Sequence, residues 1–249
     1  MCKMYFEEIL MGKVILVSSG KGGTGKTMFS VNMGATLAMQ GKRVLLMDMD
    51  MGLRNLDLYL GMENRVIFNI MDVLSGVCRI SKAMIKVNGF DSLYFMAASP
   101  KRDDRDLTPL HMRILCEKLT RNFDYVIIDC PAGLSNLADA CIAPAQKAVI
   151  VTEPEVASLR DADVTERYII EHDVTDTCVV INKLNVDLMN TGLVPSLDTM
   201  KHTFQGPIVG IIQNDDNIHI STNSGTPIVC KKGTYIQKNF EGIVARITG

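Results

Sequence analysis

GKGGTGKT, residues 20–27, follows the apolar run KVILVSS (residues 13–19) and precedes a stretch of helical character, residues 27–40. This is the pattern GxxxxGK[ST] in the order it requires: strand, glycine-rich turn, helix. Gly20, Gly22, Gly23 and Gly25 let the backbone turn tightly around Thr24 and aim successive N–H groups at phosphate oxygens. The helix starting near Lys26 adds its positive end. Lys26 supplies a charge for the β- and γ-phosphates, and the Thr27 hydroxyl is placed to ligate Mg²⁺. The expected ligands are ATP and Mg²⁺, and the expected reaction is ATP hydrolysis.

Outward from this turn, short β-branched runs alternate with amphipathic stretches along the whole chain, which predicts a βαβ architecture. Strands are expected at residues 13–18, 43–48, 93–97, 125–129, 148–152, 178–181 and 208–212. Most are apolar on both faces, as central parallel strands covered by helices are. Helices are expected at 27–40, with Gly41 as the stop, and at 66–74, 109–121, 136–143, 161–171, 197–204 and 235–247. The fold class is α/β: a doubly wound, mostly parallel sheet with helices on both faces. Residues 11–249 read as one domain, with residues 1–10 as an appendage. KRDDRD (residues 101–106) reads as a solvated loop.

The rest of the site should be acids at the C-terminal ends of neighbouring strands. Asp129 ends the run YVIID and can reach the magnesium shell as a Walker-B acid, and Gly133 in DCPAG supplies a hinge near the γ-phosphate. Asp48 and Asp50 leave another strand as DMD, and the period of two in an extended chain predicts both carboxylates on one side. One would hold a magnesium-bound water and the other would orient the attacking water. Acids beside one P-loop fit a single site at the edge of a doubly wound sheet.

Composition narrows the other possibilities. The 249 residues, 47% of them hydrophobic, suffice for one sizeable core. Lys and Arg total 26 against 28 Asp and Glu, so a net charge of −2 creates no global field for nucleic acid, and nucleic-acid binding is not expected. The seven cysteines form no CxxC pair and no zinc-spaced cluster, which reads as free thiols in a reducing cytoplasm. No apolar run approaches the roughly 20 residues that span a bilayer.

With Lys21 following the first glycine, KGGTGKT is the deviant Walker A form. On that string, and on DMDMGLRNLDLYLGMENRV (residues 48–66), DYVIIDCPAG (124–133), TEPEVASLRDAD (152–163) and GTPIV (225–229), the chain resembles the MinD/ParA group of dimerising ATPases. GLRNLD places the resemblance in the septum-site branch. The resemblance implies that Lys21 reaches across a nucleotide-sandwich homodimer to the partner's phosphates, and that Lys26, Thr27 and Asp48 serve phosphate and magnesium. It further implies that Asp50 handles the water, that Asp129 senses the γ-phosphate and that Asn182 contacts adenine. It implies recruitment of a division inhibitor at the inner face of the cytoplasmic membrane and release by a MinE-like activating partner, with residues 155–167 as the place for partner contacts. The same fold also serves DNA-segregation and flagellar-number ATPases, which stands as the alternative reading.

Members of the group normally finish with a basic amphipathic helix that inserts into lipid. Here Ile236, Phe240, Ile243 and Ile247 form one helical stripe, with Lys238 and Arg246 as the bases from Thr234 onward. This is the pattern of a last helix docked on the sheet, so weak membrane attachment is expected. MCKMYFEEIL (residues 1–10) sets one Lys against Glu7 and Glu8, which disfavours anionic lipid. Gln213-Asn214-Asp215 stands where relatives often have a Pro-containing turn, which touches base selectivity.

Overall fold

The computed structural model describes residues 11–52, 54–101 and 107–249; residues 1–10 and most of the KRDDRD stretch lie outside them. In chain order the elements are β1 (Lys13–Ser18), α1 (Lys26–Met39), β2 (Val44–Asp48), α2 (Leu56–Tyr59), α3 (Ile70–Leu74), α4 (Ile80–Ala83), β3 (Ile85–Lys86) and β4 (Leu93–Met96). They continue as α5 (Pro109–Thr120), β5 (Tyr125–Asp129), α6 (Asn136–Ile142), β6 (Lys147–Thr152), α7 (Val156–Glu171), β7 (Thr177–Leu184), α8 (Val186–Asn190), α9 (Leu197–Thr203), β8 (Ile208–Gln213), α10 (Asp216–Asn223) and α11 (Tyr235–Thr248).

The strands form one sheet in the order β3-β4-β2-β5-β1-β6-β7-β8, parallel throughout except for the antiparallel edge pair β3–β4. Alternation along each strand divides the core in two. Val14 and Leu16 of β1 point into the layer with Met112, Leu115 and Ile169, whereas Ile15 and Val17 point into the layer with Phe29, Leu37 and Phe240. Helices therefore cover both faces, as the two-sided apolar strands require. β1 lies between β5 and β6 at the middle of the sheet, so the turn after it opens where neighbouring connections leave in opposite directions, the crevice in which open α/β sheets bind ligands.

Every residue of α1 from Lys26 to Leu37 is buried. Gly34 permits this depth, because a Cβ there would meet the Leu46 side chain at 2.7 Å. On its outer side α1 packs against α11, where Phe29 stacks on Phe240 with centroids 5.9 Å apart. The stripe Ile236, Phe240, Ile243 and Ile247 is buried, in agreement with the docked-helix expectation.

Differences from the expected elements have local causes. The helix expected from residue 66 begins at Ile70, because the Asn69 side chain accepts from Met71 N and Asp72 N while Asp72 returns a bond to Asn69 N, a reciprocal capping box. Conversely, α7 starts at Val156 instead of 161, directly after the Pro154-Glu155 pair. α10, absent from the sequence-based expectations, is capped by Asp215, whose side chain accepts from Asn217 N.

Candidate functional site

The β1–α1 turn is held in shape from outside by three contacts. Gly20 lies flat on α7, where a Cβ would fall 2.4 Å from the Asp161 carbonyl carbon. Asn182, buried just before the end of β7, donates from Nδ2 to the Thr24 carbonyl at 2.7 Å, and Lys183 donates from Nζ to the Gly23 carbonyl at 2.6 Å. In a trans peptide C=O and N–H point in opposite directions. These two bonds therefore turn the N–H groups of Thr24 and Gly25 away from Asn182 and Lys183. Gly23 (φ 85°) and Gly25 (φ 90°) adopt the left-handed conformation that this path needs.

Gly25 is also the N-cap of α1, offers no capping side chain, and no acid occupies the first turn. The helix N-terminus thus presents its N–H groups to an anion. A Cβ added to Gly22 or Gly23 would meet nothing within 4 Å, so this side of the turn is open. A cavity of about 370 Å³ faces it, with Thr27, Asp50, Asn55, Asn182, Asp215 and His219 among its lining residues. Within the turn, the buried Thr24 Oγ1 has no hydrogen-bond partner, a polar atom that a bound phosphate would satisfy.

Beneath the turn, Asp129 gathers three donors. Its Oδ1 accepts from Lys26 Nζ at 3.0 Å and Ser30 Oγ at 3.0 Å, and its Oδ2 from Thr27 Oγ1 at 2.7 Å. Lys26 and Asp129 are both buried, at 8% and 1% exposure. Burial alone would lower the Lys26 pKa, but the Asp129 charge and hydrogen bond outweigh it and the ammonium is held above its usual range. Asp48 is the residue directly across the sheet from Asp129. Burial first, and then the Asp129 charge, push its carboxyl up to about 7, against the bonds it accepts from Asp50 N at 2.9 Å and Leu56 N at 3.1 Å.

Asp48 is buried beside Asp129 at the end of β2, Met49 N still donates to the Asp129 carbonyl at 3.0 Å, and Asp50 is half-buried and lines the cavity. Gly133 donates its N–H to the Ser19 carbonyl at 3.1 Å, which joins the loop after β5 to the start of the phosphate turn.

Lys21 does not line the cavity of its own chain. Its ammonium lies 3.2 Å from Glu155 and 3.6 Å from Glu153, and the Glu155 hydrogen bond, ahead of an opposing desolvation effect, raises its pKa. Glu153 also binds Lys183 at 2.7 Å. Sequence reasoning missed Ser30, Glu153 and Lys183 as parts of the site. Ser30 was within reach, since it lies one helical turn after Lys26 on the same face of α1. Glu153 and Lys183 gave no such signal, because β6 and β7 become neighbours of the turn only in the folded sheet.

The donor set fits Mg²⁺ with a triphosphate. Thr27 Oγ1, Asp48 and Asp129 are hard oxygen ligands beside a turn built for anions. Among the described residues no group of three or more His, Cys, Asp or Glu side chains forms a metal cage. Mg²⁺ is ordinarily held by one or two carboxylates together with substrate phosphates.

The AAA domain family matches residues 12–171. Among curated relatives, the septum site-determining protein MinD of a Synechocystis species is 38% identical over 240 residues, 96% of this chain and 90% of the relative. Among solved structures, the MinC:MinD cell division protein complex of Aquifex aeolicus superposes with a TM-score of 0.88 at 34% identity, covering 96% of each chain. The septum site-determining protein MinD of Pyrococcus horikoshii, complexed with Mg-ADP, superposes with a TM-score of 0.83 at 26% identity, covering 95% of this chain and 96% of that one.

Proposed function

The chain belongs to the MinD family of septum site-determining proteins and to the AAA domain family, and from that membership we propose an Mg²⁺-ATP-driven switch of division-site selection in which two copies close face to face. The observation that carries the reading is the place of Lys21, outside its own cavity and held by Glu155 and Glu153. A phosphate-loop lysine that does not face its own phosphates is suited to stabilising transition-state charge on an opposed copy, as a finger residue supplied in trans does.

Within one chain, Lys26 and Thr27 are the groups that would receive phosphate and magnesium, with Asp48 and Asp129 completing the metal's surroundings. Bound Mg²⁺ would neutralise charge on the β- and γ-phosphoryl oxygens. Until nucleotide enters, Asp129 holds Lys26 and Thr27 in place, so neither side chain has to be ordered at the moment of binding. Asp48 anchors the N–H groups of Asp50 and Leu56, and so fixes the segment that carries the Asp50 carboxylate to the cavity wall. There Asp50 orients the attacking water. Asn182, beside the β8–α10 turn, faces the base.

Turnover is slow in the isolated chain, because Lys21 must leave two glutamates to act, and a MinE-like partner accelerates it. The MinC:MinD complex of the Aquifex relative supports a division inhibitor as the other partner. The outer face of α7, where Val156 is exposed next to Glu155 of the Lys21–Glu155 pair and Val164 about two turns further on, is suited to such contacts. Among the described residues no helix is long and apolar enough to cross a membrane, and any attachment is peripheral, at the inner face of the cytoplasmic membrane.

Light scattering on Asp50→Ala tests the reading. A dimer with Mg²⁺ and ATP, and a monomer with ADP, are expected; a monomer at saturating ATP overturns it.

A further inference from the structure

Consecutive side chains of a strand ordinarily point to opposite faces of its sheet. Asn182 and Lys183 depart from this at the end of β7. The register with β8 pairs Ile181 with Ile211 and then Leu184 with Gln213, so two residues of β7 stand against one of β8, as in a bulge. Lys183 takes a left-handed backbone there (φ 57°), which is unfavourable for a residue with a Cβ. As a result both side chains reach the phosphate turn, Asn182 at the Thr24 carbonyl and Lys183 at the Gly23 carbonyl. Backbone strain of this kind persists only where surrounding contacts over-determine it, and here the contacts gather on the Lys183 ammonium.

That ammonium also donates to Glu153 Oε1 at 2.7 Å, while Lys21 lies 3.6 Å from Glu153 Oε2. One carboxylate thus serves two lysines, with one oxygen for each. The two acids beside Lys21 differ in their surroundings, the Glu155 side chain being 60% exposed and that of Glu153 14%. When Lys21 departs, water takes its place on Glu155 but reaches Glu153 poorly, and a shielded acid stripped of its cation is costly. Lys183 remains, because the Gly23 carbonyl holds it from the other side at 2.6 Å. On the reading that Lys21 acts in trans, we propose that Lys183 is a positioning residue for hydrolysis, acting through Glu153. It keeps this carboxylate neutralised while Lys21 leaves for the opposed copy, and so sets how readily Lys21 is released. Without Lys183, Lys21 would be the one cation left to Glu153 among the described residues, and the acid would pin it in its own chain.

Phosphate release at saturating Mg²⁺-ATP and fluorescent-ATP titration on the full chain test this, with wild type compared with Lys183→Met, Lys183→Met/Glu153→Gln, Glu153→Gln and Lys21→Ala. Methionine keeps an unbranched stem at the left-handed position and removes the charge with its hydrogen bonds. Lys183→Met should lower turnover several-fold, the scale of one partly shielded ion pair, and the added Glu153→Gln should restore it. Both proteins lack the bond to Gly23, so a loss caused by a loosened turn would persist in the double variant and would appear as weaker ATP binding in both. Rising salt should narrow the gap between Lys183→Met and wild type, because it weakens the hold of Glu153 on Lys21. Glu153→Gln alone keeps the Gly23 bond and frees Lys21 from one of its two anchors, so it should turn over faster than wild type; a slower rate overturns the proposal even where Lys183→Met does not fold. Wild-type turnover in Lys183→Met, or a double variant as slow as the single one, also overturns it while Lys21→Ala stays inactive and the trans reading stands. Undiminished hydrolysis in Lys21→Ala overturns the trans reading itself, and the role of Lys183 falls with it.

Discussion

Asp48 and Asp129 stand directly opposite each other in the β2–β5 register, both buried, while the ion pair of Lys26 goes to Asp129. The sheet therefore brings two carboxylates and one ammonium together under the phosphate turn, and the excess negative charge awaits a cation.

Stability without nucleotide should consequently fall as pH rises. Asp48 is raised from 3.8 to about 7 by burial and by Asp129, so between those values the folded state keeps a proton that the unfolded chain releases. Where the folded state binds more protons, stability decreases with pH, and the penalty is complete above about 7. The melting temperature is expected to drop from pH 5 to pH 8 in wild type and to drop less in Asp48→Asn. The variant starts lower, because its amide cannot accept from both Asp50 N and Leu56 N. A wild-type profile as flat as the variant's would contradict the assignment.

Lys26 and Lys21 should separate in both stability and kinetics. Lys26→Ala leaves Asp129 buried without its cation, at a cost of about 3–5 kcal/mol, and removes ATP binding. Lys21 is only half-buried and its ion pairs lie at the surface, so Lys21→Ala should shift stability by no more than about 0.5 kcal/mol, spare most nucleotide affinity and lower hydrolysis by about 10³ or more. Calorimetric unfolding, fluorescent-ATP titration and phosphate release measure the three quantities. Equal loss of binding in both variants would refute the division of labour.

Gly25 and Asn182 form a coupled pair. An alanine at 25 meets a left-handed backbone, worth roughly 1–2 kcal/mol, and its Cβ would sit 2.2 Å from Asn182 Nδ2. Asn182→Ala removes a hydrogen bond of about 1 kcal/mol and opens that space. In a double-mutant cycle read by ATP affinity, the double variant should be no worse than Gly25→Ala alone. Strict additivity would show that the two do not touch in the working site.

α11 should stay on the protein when ATP is bound. Phe240 is fully buried against Phe29 of α1, and Phe240→Ala should cost about 3–5 kcal/mol in thermal unfolding. With anionic liposomes, Mg²⁺ and ATP, most of the protein is expected in the supernatant. Strong ATP-dependent pelleting that survives deletion of residues 1–10 would mean that α11 leaves the core.

The phosphate turn, the strand before it and the helix after it were legible in the sequence, because their chemistry is contiguous: the glycines, Lys26 and Thr27 act within eight residues of one another. The seven expected strands and the two-sided burial followed from periodicity, a local property of the chain. Periodicity also suggested that Asp48 and Asp50 act at one site, and the structure places Asp48 buried at the end of β2 and Asp50 on the cavity wall two residues on. Only the tertiary structure decided that Asp48 faces Asp129, that Asn182 and Lys183 grip the turn from β7, and that Glu153 and Glu155 hold Lys21 out of its own cavity. These pairs lie from 81 to 160 positions apart, and only strand order and register make them neighbours. A parallel sheet gathers the C-terminal ends of distant strands at one edge, so its site is assembled by topology from residues whose sequence neighbourhoods carry no record of one another.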